Sequence, residues 1–375
     1  MLPAPEFNNG KIWKLRKTVY GLNDAARAWY IRVKCELLKL GMEVSSLDPA
    51  LFYWQFEERL AGIICLHVDD FFWSGTQKFE NIVIAHICKV FSVGKFENGA
   101  LKYVGLNIEN KEGSFLVHQI GYASSLSTIV MSHKRMQNKN VSLNEEEKRK
   151  FRSVIGQLSW MSTQTRPDVA FEVGELSQLY GKACVGNMIR ANKAVQRVKT
   201  DHVKLMYPQL KNMRECCLEC YADASFGNLM DGGSQGGYII FLSDDFENRC
   251  PLSWQSRKLR RVVKSTLAAE TLALLDCAEP AVFLSFVIFE LSTYRVPIKC
   301  YVDNKSLVES LYSSKLVDDR RLRIDMAVLK DMIGKKEIAS VLWIPTVHQL
   351  ANALTKRGAS VAGLLSAVSG QLRVE

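Results

Sequence analysis

The chain has 375 residues, of which 47% are hydrophobic, 23% charged and 10% aromatic, with only nine prolines. This composition excludes a disordered or collagen-like protein, and the length predicts two or three domains, each with its own core. The formal net charge of +10 is compatible with a polyanionic partner such as nucleic acid or an acidic membrane surface.

Neither a membrane span nor a secretory signal is predicted. The longest clearly apolar run, residues 281–289, is too short to cross a bilayer, and residues 1–11 lack a basic segment followed by an apolar one. The ten scattered cysteines are typical of reduced thiols in a cytoplasmic or nuclear protein. The tight group Cys216, Cys217 and Cys220 favours buried strand cysteines, with a metal site as the alternative.

The first third of the chain, from residue 11 to 125, alternates helix-like runs with short apolar strands. Segment 62–75 predicts two strands that meet at a pair of acids. Segments 101–108 and 114–120 predict a hairpin, because the polar run ENKEG between them is typical of a turn.

The polar and strongly charged stretch 132–150 predicts a linker. Within it, Ser142 and Glu145 have the spacing of a capping box that opens the next helix. Residues 151–210 are predicted to be mostly helical, with a break near Arg166 and Pro167.

The last third, from about residue 216, predicts three strands, a long helix, a strand, a helical region to about Lys336, a strand and a final helix from Thr346 to Gly358. Strands followed by alternating helices and strands predict a mixed α/β sheet. Several acids stand at the predicted strand ends.

Three of these acids could form one site. Asp223 and Asp303 each end an apolar strand, and Glu270 lies in a helix among small residues; they are separated by 47 and 33 residues, so only the fold can bring them together. Converging carboxylates hold hard divalent cations, and two such ions can activate a water and stabilise the leaving oxygen of a phosphodiester. By spacing alone, solvated turn and helix-surface acids are the alternative.

A basic run precedes the helix of Glu270. It contains Arg257, Lys258, Arg260, Arg261 and Lys264. Cations beside a metal site suit a bound phosphate backbone, and a solvated basic edge is an equal alternative.

The order of motifs over residues 216–358 resembles the ribonuclease H domain of copia-type LTR retrotransposon Pol polyproteins. The motifs are YADAS (221–225), STLAAET (265–271), YVDN (301–304) and IPTVHQLANALTK (344–356). The resemblance implies that Asp223, Glu270 and Asp303 are the catalytic, metal-binding acids of RNA-strand hydrolysis. It also implies Mg²⁺ or Mn²⁺ as the ion and an RNA–DNA hybrid as the substrate.

The fourth acid of that family is missing, because Asn352 stands where the family has Asp. Its neutral carbonyl oxygen can still contact a metal, but the loss of one negative charge is expected to lower metal affinity. His348 is predicted to lie one helical turn before Asn352 on the same face. It is a candidate for proton transfer or product release, with an ordinary surface histidine as the alternative.

Other motifs resemble the reverse transcriptase palm, thumb and connecting region of the same family. They are KLRKTVYGLNDAARAWY (14–30), LFYW (51–54), KYVGLNI (102–108) and FRSVIGQLSWMSTQTRPDVAF (151–171). HVDD stands where the family has Tyr-Val-Asp-Asp, which implies that Asp69 and Asp70 bind metal, with His67 replacing the tyrosine. Arg27 ends a DAAR segment where the family has Gln-Ala-Pro-Arg, which positions nucleotide and template.

The polymerase site is expected to be incomplete. Residues 1–7 resemble a family segment that follows the first catalytic Asp of the palm, so the chain is expected to begin after that acid and to lack the fingers. A two-metal polymerase site needs this third carboxylate. No nearby acid could replace it, because none lies in an apolar strand; the nearby acids are Glu6, Asp24 and Glu36. We therefore expect no DNA polymerisation by this chain.

The sequence thus predicts an α/β and α+β protein in four segments. They are a truncated reverse transcriptase palm and thumb (1–131), a linker and helical connection (132–215), a ribonuclease H-like mixed sheet with flanking helices (216–358) and a tail (359–375). The leading hypothesis is a nuclease whose partners are an RNA–DNA hybrid and other Pol or Gag products, without a membrane. The alternatives are a non-catalytic nucleic-acid-binding relic of a transposable element and a reading frame whose product does not fold.

Overall fold

The computed structural model describes residues 14, 18–19, 21–315 and 317–370. The chain divides into two compact units, Met1–Phe96 with Glu290–Ser292, and Glu97–Phe289 with Thr293–Glu375. The predicted boundaries after residues 131 and 215 fall within the second unit. The motif at residues 1–7 lies outside the described residues.

The first unit contains a four-stranded antiparallel sheet in the order β1-β2-β3-β4. Its elements are α1 (Ala25–Lys39), β1 (Glu43–Val44), β2 (Leu51–Phe56), β3 (Arg59–His67), β4 (Asp70–Gly75), α2 (Gln77–Phe79) and α3 (Ala85–Val90). The large side chains of Leu37, Phe52, Ile64 and Phe79 are fully buried and form its core. The predicted pair of strands around the acids is confirmed as the β3–β4 hairpin.

The second unit begins with an antiparallel sheet in the order β5-β6-β7-β8. Its strands are β5 (Ala100–Tyr103), β6 (Leu106–Lys111), β7 (Ser114–His118) and β8 (Leu205–Tyr207). The single strand predicted over 101–108 is wrong. The chain reverses there at Val104 and Gly105, whose φ angles of 47° and 76° belong to a tight left-handed turn.

Five helices follow the first three strands of this unit. They are α4 (Ile120–Ser125), α5 (His133–Gln137), α6 (Glu145–Gln164), α7 (Ala170–Ser177) and α8 (Val185–Thr200). The predicted linker therefore contains α5 and the first turns of α6. The predicted capping box is also displaced, because Ser142 is held in a β-bridge with Cys184. Asn144 and Glu147 form the capping box instead, with two N–H···O bonds of 2.9 Å.

The predicted helix break at Arg166 and Pro167 is confirmed as a buried polar junction. Arg166 forms a bidentate pair with Asp168 at 2.8 Å, and it also donates to the carbonyls of Val198 and Asp201 at the end of α8. Arg197 contacts the same carboxylate at 3.1 Å. Because the charges are paired and hydrogen-bonded, they can be buried where the helices meet.

The predicted mixed sheet forms the centre of the C-terminal part, in the order β11-β10-β9-β12-β13. Its strands are β9 (Cys217–Ser225), β10 (Gln235–Ser243), β11 (Arg249–Lys258), β12 (Ile298–Val302) and β13 (Ser340–Trp343). Strands β9, β10 and β11 pair antiparallel, whereas β12 runs parallel to β9 and β13. The prediction of an α/β sheet is confirmed.

Successive residues of β9 and β10 face opposite sides of this sheet, and each side is covered by buried apolar residues. The helices α9 (Thr266–Ser292), α10 (Lys305–Tyr312) and α11 (Arg320–Gly334) cover one side. The other side packs on residues 350–354 and on α12 (Ala362–Val368). The predicted tail therefore contains a helix whose Leu364 and Val368 belong to the core.

The final helix predicted from residue 346 is wrong. The chain forms two short 3₁₀ turns, Thr346–His348 and Leu350–Leu354, separated by Gln349. Gln349 is buried, and its amide donates to the carbonyls of Ala222 and Tyr301 on two strands. This inward anchor holds its backbone extended (φ −77°, ψ 99°) and interrupts the helix.

Among the described helices, α9 has the length and apolar composition that a membrane span requires, with one third of its apolar window buried. Leu274, Ala278 and Ala281 on α9 are fully buried against the mixed sheet. Such packing is typical of the core helix of a globular domain.

Candidate metal centre

Three carboxylates meet at one edge of the mixed sheet. Asp223 lies near the carboxyl end of β9, and Asp303 directly follows β12, its parallel neighbour. Glu270 faces them from the beginning of α9. One oxygen of each carboxylate lies within 4.8 Å of the others, and in the described ranges no other group of three acidic, His or Cys side chains converges so closely. The fold thus brings together the three acids that the motifs single out.

The burial of this cluster fits a bound cation. Asp223 is fully buried and Glu270 is 4% exposed, whereas Asp303 is partly exposed. The Oε2 atom of Glu270 is buried and has no hydrogen-bond partner among the described residues. An unsatisfied buried polar atom costs about 1–3 kcal/mol. Oxygen ligands of this kind suit a hard divalent ion such as Mg²⁺.

The electrostatics of the cluster indicate the same need for positive charge. Burial, with the carboxylates of Asp223 and Asp303 nearby, raises the pKa of Glu270 to about 9. Burial also raises the pKa of Asp223, and the ammonium group of Lys356 opposes that rise. Without an added cation, the cluster therefore retains a proton at neutral pH.

Two residues that the sequence analysis assigns no role complete the environment of Asp223. The hydroxyl of Thr355 donates to Oδ2 of Asp223, and Nζ of Lys356 lies 3.3 Å from Oδ1. The ammonium of Lys356 also donates to Oδ1 of Asn352. The one sequence signal for this contact is the Leu-Thr-Lys run at 354–356.

The structure links Asn352 to the cluster through Lys356, whose ammonium contacts both Asn352 and Asp223. The amide nitrogen of Asn352 donates to the carbonyl of Thr346 at 2.8 Å, and its carbonyl oxygen accepts from Lys356. His348 is exposed and lies in the preceding 3₁₀ turn. The expectation that His348 and Asn352 share a helical face is wrong, because Gln349 interrupts the helix between them.

The predicted basic surface is partly neutralised by acids of the same domain. Arg257 pairs with Asp276, Lys258 with Asp231, and Arg261 with Asp325. Arg260 and Lys264 are exposed. These pairs are partly exposed, and ion pairs near the surface contribute little stability, so the basic side chains can exchange partners when a phosphate backbone approaches.

An open cleft of about 540 Å³ gives access to the cluster. Glu270, Asp303 and Lys356 line it together with Phe226 and Lys305. Its open, polar form suits a polymer strand better than an enclosed small molecule.

The acid pair of the first unit has a different environment. Asp69 and Asp70 are exposed at the tip of the β3–β4 hairpin, where Val68 has a φ of 53°. The indole of Trp29 donates to the carbonyl of Val68 at 2.8 Å and so ties α1 to the tip. Arg27 is exposed two residues earlier on α1. Within the described ranges, no third acid joins this pair in a close group.

The cysteines fit the interpretation as buried thiols. None of the ten forms a disulfide. Cys216 and Cys220 are buried, Cys217 is partly buried, and Cys217 and Cys220 belong to β9. In the part of the chain that the structure describes, these cysteines join no metal-binding group.

Gly237 allows the segment with Thr355 to reach Asp223. It pairs with Asp223 across β10 and β9, and a Cβ at this position would lie 2.7 Å from Cβ and 3.1 Å from the backbone oxygen of Leu354. We expect Gly237→Ala to push residues 354–355 outward and to lower the free energy of unfolding by about 1–3 kcal/mol. Denaturant unfolding would measure this loss.

Gly236→Ala provides the matched control. Its Cβ would point to the other face and meet chiefly Cδ2 of Leu259 at 2.7 Å, the end of a flexible side chain. We expect a smaller loss for Gly236→Ala than for Gly237→Ala. Equal losses would contradict the proposed close approach of residues 354–355.

Comparisons with known proteins find similarity to retrotransposon Pol polyproteins. A family model described as reverse transcriptase (RNA-dependent DNA polymerase) matches residues 3–142. The Pol polyprotein from transposon RE2 of Arabidopsis thaliana is 26% identical over 94% of this chain and 24% of that protein. The Pol polyprotein from transposon TNT 1-94 of Nicotiana tabacum is 24% identical over 92% of this chain and 27% of its own length. The chain spans about a quarter of the length of these two relatives.

One solved structure gives a fold-level likeness over most of the chain. It is described as a foamy viral protease-reverse transcriptase in complex with an RNA/DNA hybrid. The match has a TM-score of 0.50 and 10% sequence identity, and it covers 91% of this chain and 40% of that one. The predicted fold class is confirmed.

Proposed function

We propose that this chain, a relative of copia-type retrotransposon Pol polyproteins along almost its whole length, cleaves the RNA strand of RNA–DNA hybrids. Asp223, Glu270 and Asp303 would hold Mg²⁺ or Mn²⁺. The observation that carries the proposal is the convergence of these carboxylates around the buried, unpartnered Oε2 of Glu270. The proposed substrate class agrees with the hybrid named for the foamy viral protein.

The residues of such a site would have different roles. Bound divalent ions supply a nucleophilic water and charge stabilisation for the leaving oxygen. Asp223 is fixed by Thr355, so its carboxylate is oriented before substrate arrives. Asp303 and Lys305 line the open side of the cleft, where a phosphate backbone can enter.

We propose that this chain by itself does not polymerise DNA. A two-metal polymerase site needs a third carboxylate, and no described acid joins Asp69 and Asp70 in a close group. Further Pol or Gag products as partners, and a cytoplasmic or nuclear location, belong to the same proposal. Ten cysteines that form no disulfide support that location.

A hybrid-cleavage assay on the purified full chain tests the nuclease. We expect RNA cleavage in a labelled RNA–DNA hybrid that requires Mg²⁺ or Mn²⁺ and stops with a chelator, while double-stranded DNA stays intact.

The second candidate function is that of a non-catalytic nucleic-acid-binding relic. It is favoured by Asn352, which supplies no charge to the cluster. Salt-sensitive binding of the hybrid without cleavage would support this second function and contradict the first.

We expect Asn352→Asp to lower the metal concentration for half-maximal cleavage by about tenfold, because a carboxylate adds negative charge beside the cluster. The measurement is a metal titration of the cleavage rate. Asn304→Asp is the matched control, since Asn304 also lines the cleft and caps α10 through its side chain. An equal effect of both variants would show that general charge, rather than the position of residue 352, is responsible.

A further inference from the structure

We propose that Lys356 is an internal counter-ion of the acid cluster, which must leave Asp223 before a divalent ion can bind and which thereby sets the metal affinity of the site. This inference rests on the metal site in the proposed function. Lys356 would act as a positioning residue that competes with the metal. In the metal-free state its ammonium pairs with Asp223, and in the metal-bound state it does not.

The contacts of Lys356 place its charge where a metal's charge is needed. Its Nζ lies 3.3 Å from Oδ1 of Asp223, a fully buried carboxylate. The other oxygen of that carboxylate already accepts from Thr355. Across the described ranges, Lys356 forms the one ion pair with Asp223. A metal that binds Asp223 through Oδ1 therefore has to replace this ammonium group.

Lys356 is also able to leave. Its side chain is 40% exposed and lines the open cleft, so the ammonium can reach water. A lysine has a flexible four-carbon stem and a compact charge, and it can change position without moving the backbone. Asn352 offers a neutral oxygen that holds the ammonium near the cluster.

Competition has a thermodynamic signature that activity alone lacks. If Lys356 stabilises only the metal-free state, its removal should destabilise that state and leave the metal-saturated state unchanged. By linkage, the loss of metal-free stability and the gain in metal affinity come from the same contact. A merely structural lysine would affect both states.

The test uses Lys356→Met in the full chain, with Mn²⁺ binding measured by electron paramagnetic resonance and melting measured with and without Mn²⁺. We expect Mn²⁺ to bind Lys356→Met about tenfold more tightly than the parent, because the substitution removes a nearby positive charge that competes with the metal. The melting temperature should fall only in the absence of Mn²⁺. Lys356→Arg keeps the positive charge, so its Mn²⁺ affinity should stay within about threefold of the parent's. This is smaller than the tenfold change, about 1.4 kcal/mol, expected for Lys356→Met.

Lys305→Met is the matched control. Lys305 lines the same cleft, but its ammonium lies 3.9 Å from Glu309 on α10, away from Asp223. Both substitutions remove one positive charge, so an equal gain in affinity would overturn the competition by Lys356. Weaker Mn²⁺ binding by Lys356→Met, or melting losses that persist with Mn²⁺, would also overturn it. If neither the parent nor any variant binds Mn²⁺, the proposed metal site fails together with this inference.

Discussion

Replacing Asp223 by Asn should reduce metal-dependent cleavage of RNA–DNA hybrids by more than about 100-fold, because even partners that only orient metal ligands typically contribute 10–100-fold. Asp223 is the fully buried member of the cluster and the carboxylate that both Thr355 and Lys356 contact. An amide keeps the shape of the side chain but removes the charge that a divalent ion requires. Cleavage rates at saturating Mg²⁺ would measure the loss.

Melting experiments separate a catalytic loss from an unfolded variant. Two raised pKa values show that negative charge is unfavourable in the metal-free cluster. Asp223→Asn should therefore keep a cooperative unfolding transition. Asp231→Asn is a suitable control, since Asp231 is exposed in the loop that follows the same strand and pairs with Lys258. Cleavage that survives Asp223→Asn, or disappears equally with Asp231→Asn, would contradict the assignment.

The C-terminal sheet could be predicted from the sequence because local and global signals agree. Strands β9, β10 and β12 are apolar runs that end at polar residues, and the α9 helix has a clear serine cap at Ser265. The predictions failed where tertiary contacts override local patterns. The buried amide of Gln349 interrupts a helix that residues 346–358 favour locally. The β-bridge of Ser142 likewise moves a helix start to Asn144.

The candidate site likewise contains residues that could be predicted from local motifs and residues that could not. Asp223, Glu270 and Asp303 could be selected because each stands in a motif of the family that the chain resembles. Lys356 and Thr355 could not, since their contact with Asp223 depends on two 3₁₀ turns and on Gly237 below them. The pairing of Arg257 and Arg261 with acids on two different helices could not be predicted either. Such contacts join residues that are distant in sequence and carry no periodic pattern.

The affinity of the cluster for Mg²⁺ should rise about tenfold for each pH unit between about pH 7 and pH 9, because each bound ion must displace one proton. The proton belongs to Glu270, whose pKa burial and two neighbouring carboxylates raise from 4.5 to about 9. Calorimetric titrations in buffers of different ionisation enthalpy should detect the release of about one proton per binding event at pH 7. Above pH 9 the affinity should level off.

The stability of the metal-free protein should change in the opposite direction. Because the folded state holds a proton that an unfolded glutamate releases near pH 4.5, the free energy of unfolding should fall as the pH rises from about 4.5 to about 9. Saturating Mg²⁺ should reduce this fall, since the bound ion replaces the proton. Glu270→Gln is the control, because it removes the titrating group and should abolish most of the pH dependence of metal binding. A parent protein whose Mg²⁺ affinity is constant from pH 7 to pH 9 would show that Glu270 is already ionised and would contradict the charge balance that the burial of this cluster implies.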